Sequence, residues 1–424
     1  MQSIHTSSAK RSIDYAPQSS PRDDVGVIVQ QVQEAARLPL NEATTLPRAS
    51  YLSQEFFELE EEKVFRAGWM CIGHVSQVRN PGDYLAIELL GEPLLVVRDQ
   101  DQQVRVLSRI CPHRATDIMH PAFEKPCQGN ISRLVCPYHA WGFKLNGELF
   151  AAPEMDKSTG FDVADWRLEQ YRSCVWEGFI FVNLDGNAGA LEAEYSQFRD
   201  AIQSWNMADL EVAFEMEWEC DFNWKVMIEN WMEPYHHIGI HSESIQPTMP
   251  ARMTHTEPTH PHFFQCHLYF RNAIADEVRR AAVENKALDG FTPISGLAVE
   301  QQVEWGLFLG YPCLMVLTAR DRVFWYRLQP VSAGKCKLTT YNLVSKEATA
   351  APDYAQRLEE AKKLLVEFHT EDMQVSNALY SGLASNAVVR GRLSYLEEPI
   401  WQFQRFLASQ LAPEPFATPT RKIA

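Results

Sequence analysis

The chain has no apolar run of about eighteen residues, the length a helix needs to cross a bilayer, so no membrane span is expected. Positive charge is scarce: 39 Lys and Arg stand against 55 Asp and Glu, a net charge of −16. That balance argues against non-specific binding to nucleic acid. There is no G-x-G-x-x-G loop, which removes a built-in dinucleotide site, and no four-cysteine ferredoxin spacing. Nine cysteines without an even framework in 424 residues do not read as secreted disulfides, and a cytoplasmic setting is expected. Cys71, Cys127, Cys174, Cys220, Cys266, Cys313 and Cys336 are expected as buried thiols. Residues 1–24 carry Lys10, Arg11 and Arg22 but no apolar h-region, so a flexible tail is expected in preference to a cleaved transit peptide. No internal repeat or low-complexity segment is visible.

What is present is more telling. Cys111-Pro-His113-Arg114 is followed, after 21 intervening residues, by Cys136-Pro-Tyr-His139-Ala-Trp141. Each half offers one thiolate and one imidazole. A zinc site favours paired cysteines and paired histidines, and a Cys2His2 zinc knuckle is the competing reading. Mixed pairs are what a [2Fe–2S] cluster needs when two cysteines hold one iron and two histidines the other, the Rieske arrangement. Cys111, His113, Cys136 and His139 are the predicted cluster ligands. Neutral imidazole in place of thiolate raises the potential, so such a cluster accepts electrons readily and passes them on.

A second constellation runs from Asn223 to His241 and contains Glu229, Asn230, Glu233, His236, His237 and His241. His236 and His241 lie five apart, about 500° of helical turn, so a straight helix would not put them on one face. A helix ending near Gly239 could fold the second imidazole back. Two histidines and a carboxylate form a facial triad for non-haem iron with open positions. The carboxylate must come from elsewhere, and Glu371-Asp372 in the helical stretch Tyr354–Leu383 is the best candidate. His237 reads as a pocket residue. His120, His255, His260, His262, His267 and His369 read as ordinary surface or packing histidines.

On these two anchors, Cys111-x-His113…Cys136-x-x-His139 and Glu233-x-x-His236-x4-His241, the chain resembles the oxygenase (α) subunits of Rieske non-haem iron oxygenases, the ring-hydroxylating oxygenase family, over about residues 50–410. The resemblance implies iron ligation by His236, His241 and Asp372, an acidic bridge at Glu233, and Asn230 as a second catalytic candidate. The aromatic-ring dioxygenases usually carry aspartate at the bridge. Glutamate here is similar to the branch that oxidises carnitine, choline and betaine-type amines, as is the run Glu371-Asp372…Gly382-Leu383…Gly391-Arg392-Leu-Ser394…Glu397. That favours mono-oxygenation, by hydroxylation or oxidative demethylation, of a small organic acid or amine. The alternatives are an aromatic-ring dioxygenase giving cis-dihydrodiols and a Rieske electron-transfer protein without oxygenase activity. The resemblance further implies a [2Fe–2S] cluster and one Fe(II) per chain, O2 as co-substrate, and a homotrimer in which the cluster of one subunit faces the iron of the next. His139 would there hydrogen-bond to Glu233, which holds His236. NAD(P)H and flavin would act only through a separate reductase, with or without a ferredoxin.

The fold class expected is α+β: an all-β Rieske domain, and a catalytic domain with a central antiparallel sheet covered by helices, a helix-grip arrangement. Residues 1–48 read as a partly flexible extension whose one helix, Val25–Arg37, is capped by Asp24. Residues 49–67 read as an amphipathic helix joining the catalytic domain, 68–185 as the Rieske domain and 186–424 as the catalytic domain. Strands are expected at Asp83–Glu88, Pro93–Arg98 and Val104–Arg109. Phe214, Met216, Trp218, Cys220 and Phe222 alternate with acids, a period-two strand that stops at Asn223, a good helix cap. Further strands are expected at Phe263–Arg271, Ala298–Trp305, Phe324–Gln329 and Lys337–Ser345, and a helix at Glu192–Trp205. Pocket candidates are Trp231, Phe263, Phe264, Trp305, Phe308, Tyr311, Phe324 and Tyr326, which could hold a planar ring or an ammonium group.

Overall fold

The computed structural model describes residues 24–284 and 288–411; the expected tail over 1–23 lies outside them. The chain divides into one unit of residues 66–212 and another of 1–65 with 213–424. The first therefore includes the segment 186–212, which the sequence reading joined to the catalytic half.

The 66–212 unit is built from short antiparallel strands: β1 (Met70–His74), β2 (Asp83–Leu89), β3 (Glu92–Arg98), β4 (Val104–Ser108), β5 (Gln128–Asn130), β6 (Leu134–Val135), β7 (Gly142–Phe143), β8 (Leu149–Ala151), β9 (Arg172–Trp176) and β10 (Phe179–Asn183). They form three sheets, in the orders β4-β3-β2-β5, β6-β7-β8 and β1-β10-β9. Leu89 pairs with Glu92 across a two-residue turn in which Leu90 and Gly91 both have positive φ, the backbone that matches strand twist. Leu95, Leu107, Ile118, Leu134, Trp141 and Phe143 pack in one core with Cys111 and Cys136. The expected helix at Glu192–Trp205 is broken into Leu191–Glu194, Ser196–Ile202 and a 3-10 turn at Gln203–Trp205. Two of the seven expected buried thiols are not buried: Cys127 is exposed just before edge strand β5, and Cys174 is half-buried on edge strand β9. An edge strand has a neighbour on one side only, so its side chains keep contact with water.

The other unit carries a seven-stranded antiparallel sheet of β11 (Glu211–Cys220), β12 (Thr254–Thr256), β13 (Phe263–Tyr269), β14 (Glu304–Gly310), β15 (Leu314–Thr318), β16 (Val323–Ser332) and β17 (Lys335–Val344). Its order is β11-β17-β16-β15-β14-β13-β12. In β11, Phe214 and Cys220 are buried while Glu215, Glu217 and Glu219 are exposed, the alternation visible in the sequence. The strand expected at Ala298–Trp305 begins only at Glu304, behind a 3-10 turn at Glu300–Gln302, and β15 was missed. Every residue of β15 is buried, so it has no alternation to read.

The helix Tyr354–Leu383 lies on this sheet, with Phe368 edge-on to Phe324 of β16 and His369 edge-on to Trp218 of β11. The helix Val25–Arg37 forms as expected, with Asp24 accepting from Gly26 N at 2.7 Å. It is no loose extension: it packs on the helix Glu398–Gln410, and Arg405 and Trp401 donate to the carbonyls of Ala36 and Leu38 at its C-terminal end. The expected helix 49–67 is divided into Ala49–Leu52, Gln54–Glu60 and a wider turn at Glu61–Arg66. On its inner side Glu60 meets Lys225 at 2.7 Å, with both side chains 0% exposed.

Candidate metal centre

Asn223 caps the helix Trp224–Met232 by accepting from Lys225 N at 3.0 Å, and its amide donates to the carbonyls of Tyr51 and Ala333. The helix stops seven residues before Gly239, where the sequence reading ended it. The cause is Pro234, which lacks an N–H and pushes the residue before it out of the helical region; Glu233 is extended at φ −113, ψ 141. A 3-10 turn, Tyr235–Ile238, follows and carries His236. Glu233 organises this turn. Its Oε2 accepts from the backbone N–H groups of Tyr235 and His236, and its Oε1 accepts from His236 Nδ1 at 2.8 Å.

Five residues on, His241 turns back beside His236, with ring centroids 5.1 Å apart. Its Nδ1 meets Glu371 Oε2 at 2.7 Å, and its Nε2 meets Asp372 Oδ1 at 3.0 Å. His236 Nε2 lies 3.7 Å from the same Asp372 oxygen. Among the described residues, His236, His241 and Asp372 are the one group of His, Cys, Asp or Glu whose ligand atoms all lie within 4.8 Å of each other. The chemistry of the set fits a divalent metal. With each Nδ1–H donating to a carboxylate, the two Nε2 atoms are left to offer lone pairs beside a carboxylate oxygen, three acceptors that one bound cation would satisfy together. Two imidazoles and one carboxylate are the facial set of non-haem iron.

Carboxylates and imidazoles crowd one another here and shift each other strongly. Burial works to lower the basicity of His236, but Glu233 and Asp372 outweigh it and hold it above the usual histidine range. Burial likewise pushes Asp372 up, and its contact with His241 and the charge of the nearby imidazoles bring it below the usual carboxylate range. Burial drives His237 down to about 3 and His369 to about 4, so both are neutral near pH 7.

A cavity of about 50 Å³ opens on the three residues. Trp231, Trp305, Tyr326 and Phe368 supply aromatic walls, and Asn230, His237 and His369 supply polar edges. Its charged lining residues are Glu233 and Asp372; among the described residues no Lys or Arg lines it. Of the eight predicted pocket aromatics, Trp231, Trp305 and Tyr326 line the cavity. Phe263, Phe264, Phe308, Tyr311 and Phe324 are buried elsewhere in the core. His369, read as an ordinary histidine, stands in the wall, and its Nε2 has no hydrogen-bond partner among the described residues. Its position one turn before Asp372 on the same helix face was the signal that could have found it.

In the 66–212 unit the two cluster loops prove to be the same turn. Cys111 N donates to Thr116 O and Ala115 N to Cys111 O, both at 2.9 Å; Cys136 N donates to Trp141 O at 2.9 Å and Ala140 N to Cys136 O at 3.0 Å. Ala115 and Ala140, at matching positions, have φ of 56° and 58°. The C-x-H and C-x-x-H spacings therefore shift a histidine by one place on a common frame. Cys111 and Cys136 are buried, His139 is exposed and His113 half-exposed. The imidazoles meet edge to face at 4.8 Å, and Trp141 stacks on His113 at 4.6 Å. Two inner sulfurs and two outer nitrogens on one pair of loops fit a cluster with one iron inside and one at the surface.

Residues 197–413 match the family described as ring hydroxylating alpha subunit (catalytic domain), and residues 68–172 match the Rieske [2Fe-2S] domain. The carnitine monooxygenase oxygenase subunit of Acinetobacter baumannii is 32% identical over 220 residues, which cover 50% of this chain and 57% of the relative. The glycine betaine monooxygenase oxygenase subunit of Pseudomonas aeruginosa is 30% identical over 203 residues, 48% of this chain and 46% of that protein. The chain thus spans about half the length of the curated relatives it matches. A crystal structure of a quaternary ammonium Rieske monooxygenase with L-carnitine superposes with a TM-score of 0.71 at 23% identity, covering 90% of this chain and 99% of that one, and shares its fold.

Proposed function

The chain belongs to the ring-hydroxylating oxygenase α-subunit family, and from that premise we propose that it is the oxygenase component of a system that mono-oxygenates a small quaternary or related amine. The observation that carries this is the cavity, which brings aromatic faces and two carboxylates, with no Lys or Arg among the described residues, to the edge of a two-histidine, one-carboxylate site. An ammonium group is stabilised by aromatic faces and by nearby negative charge. The named relatives act on carnitine and glycine betaine, which agrees with this reading.

In this reading Cys111, His113, Cys136 and His139 hold the [2Fe–2S] cluster, and His236, His241 and Asp372 hold one Fe(II). Together the bound groups supply one-electron delivery and O2 activation. The chain's own residues do the rest. Glu233 fixes the Nδ1–H tautomer of His236 and keeps Nε2 aimed inward. Trp231, Trp305, Tyr326 and Phe368 hold the alkylammonium and leave little room for water. Neutral His237 and His369 add polar edges without adding positive charge. Asn230 lines the same cavity, as a second polar contact.

The partners follow the same reading. Electrons come from a separate reductase. A homotrimer is supported by apolar exposure at both sites: Tyr138 is 53% exposed beside His139, and Tyr235 and Ile238 flank His236 at 45% and 52%. His139 of one subunit would then reach Glu233 of the next. No helix among the described residues is long and apolar enough to cross a membrane.

Anaerobically purified protein is expected to carry three irons per chain, two in the cluster and one alone. With a surrogate reductase, quaternary amines are expected to drive oxygen uptake and aromatic acids to leave it at background. Uptake coupled only to a dihydrodiol product would replace this reading with ring dihydroxylation. Two irons per chain with no uptake would leave an electron carrier.

A further inference from the structure

Glu371 and Asp372 are neighbours on one helix, and the sequence alone lets either serve as the third ligand. The structure gives them different tasks. Successive helical residues point about 100° apart. Asp372 faces the gap between the two Nε2 atoms, while Glu371 passes outside His241 and takes its Nδ1 at 2.7 Å. The same Glu371 oxygen accepts from Ser244 Oγ at 2.8 Å, and that hydroxyl lies 3.3 Å from His241 Nδ1. His241 is therefore gripped on both ring nitrogens by consecutive carboxylates, with a serine three residues along its own loop closing the triangle.

We propose that Glu371 and Ser244 are positioning residues for His241, a second outer carboxylate of the centre alongside Glu233. The proposal rests on the reading of His236, His241 and Asp372 as metal ligands. Glu371 holds the proton on Nδ1, so Nε2 carries the lone pair, and Ser244 fixes the carboxylate in place. Glu233 does the same for His236 from within the ligand turn, three residues away. Glu371 reaches His241 from the helix Tyr354–Leu383, across 130 residues of chain, so it ties that helix to the ligand loop. Its side chain is 35% exposed against 9% for Glu233, so water screens it more and its contribution is the smaller of the two.

The test uses the full chain with its cluster in place and the mononuclear site emptied by a chelator. Mn(II) is then titrated in, with the free ion read by electron paramagnetic resonance. Glu371→Ala is expected to weaken Mn(II) binding by about 10–100-fold, the usual effect of removing such an outer partner. Glu371→Gln, whose amide oxygen still accepts from Nδ1–H, is expected to recover part of that loss. Ser244→Ala is expected to shift affinity the same way by a smaller factor. The visible spectrum of the cluster, unchanged across the series, reports that each variant is folded. His241→Ala anchors the series and is expected to abolish binding. Wild-type affinity in Glu371→Ala, or no recovery in Glu371→Gln, overturns this inference while His241→Ala still loses the ion. Wild-type binding by His241→Ala would instead remove the ligand reading beneath it. Should Glu371→Ala not fold, wild-type affinity in both Glu371→Gln and Ser244→Ala overturns it equally.

Discussion

Glu233 divides its two oxygens between backbone and imidazole, so one side chain sets both the shape of the ligand turn and the tautomer of His236. Glu233→Gln keeps the size and removes the charge. Turnover is expected to fall by about 10–100-fold with both metal sites still loaded, as counted by iron analysis. Full turnover would remove any bridging role for this residue. On the cavity wall, Trp305→Leu keeps an apolar side chain and deletes the aromatic face. Cation–π contact is worth about 1–2 kcal/mol when desolvated, so KM for a quaternary amine is expected to rise about tenfold with kcat changed less. An unchanged KM would place the ammonium elsewhere. That position 233 carries glutamate was legible in the sequence; which pocket aromatics face the site was not. Periodicity marks an aromatic as inward-facing, and here inward means both cavity and solid core.

At the scale of elements, the helix Trp224–Met232 is held by more than its cap. Lys225 forms a buried pair with Glu60 and lies over the rings of Tyr51, Phe56 and Trp224, while Trp224 Nε1 also donates to Glu60. Removing one member of a buried pair strands the other without solvent. Lys225→Met is expected to cost about 3–5 kcal/mol in urea unfolding, and adding Glu60→Gln should restore part of it. Additive losses would mean that the two charges act independently. Helix starts were legible where caps are local, at Asp24 and Asn223. The end at Met232 is also written in the sequence, at Pro234, although the spacing of His236 and His241 points past it. Strand β15 was not legible, because a strand covered on both faces carries no alternation.

For the whole molecule, the two units should respond to pH in opposite directions. In the 66–212 unit, burial lowers fully enclosed His74 from its ordinary value to about 4. The unfolded chain then binds more protons than the folded one between about pH 6.5 and 4, so this contribution is complete above that window and is lost as pH falls through it. The change is on the order of 3 kcal/mol. In the other unit, burial raises Glu229 to about 7 despite its hydrogen bond from Tyr51. There the folded form holds the extra proton, so stability is complete below the usual carboxylate range and declines as pH rises toward 7. Unfolding followed from pH 4 to 7 by cluster absorbance for one unit and tryptophan fluorescence for the other should show opposed slopes. His74→Phe should flatten the first, and parallel slopes would rule out these two groups as the main titrating sites.

The sequence by itself determined the chemistry: the mixed sulfur and nitrogen pairs, the histidines with their acidic neighbour, and the α+β class. Those signals are local, because ligand spacing, caps and turns act over a few residues. Only the tertiary structure decided which of Glu371 and Asp372 faces the two imidazoles, that His369 stands in the cavity wall, and that the two cluster loops share one backbone frame. The first two depend on contacts between segments at least 130 residues apart, and the pairing of distant segments is set by how faces pack, which no local pattern records; the shared frame rests on matching turns at Ala115 and Ala140, which a one-place difference in spacing hides.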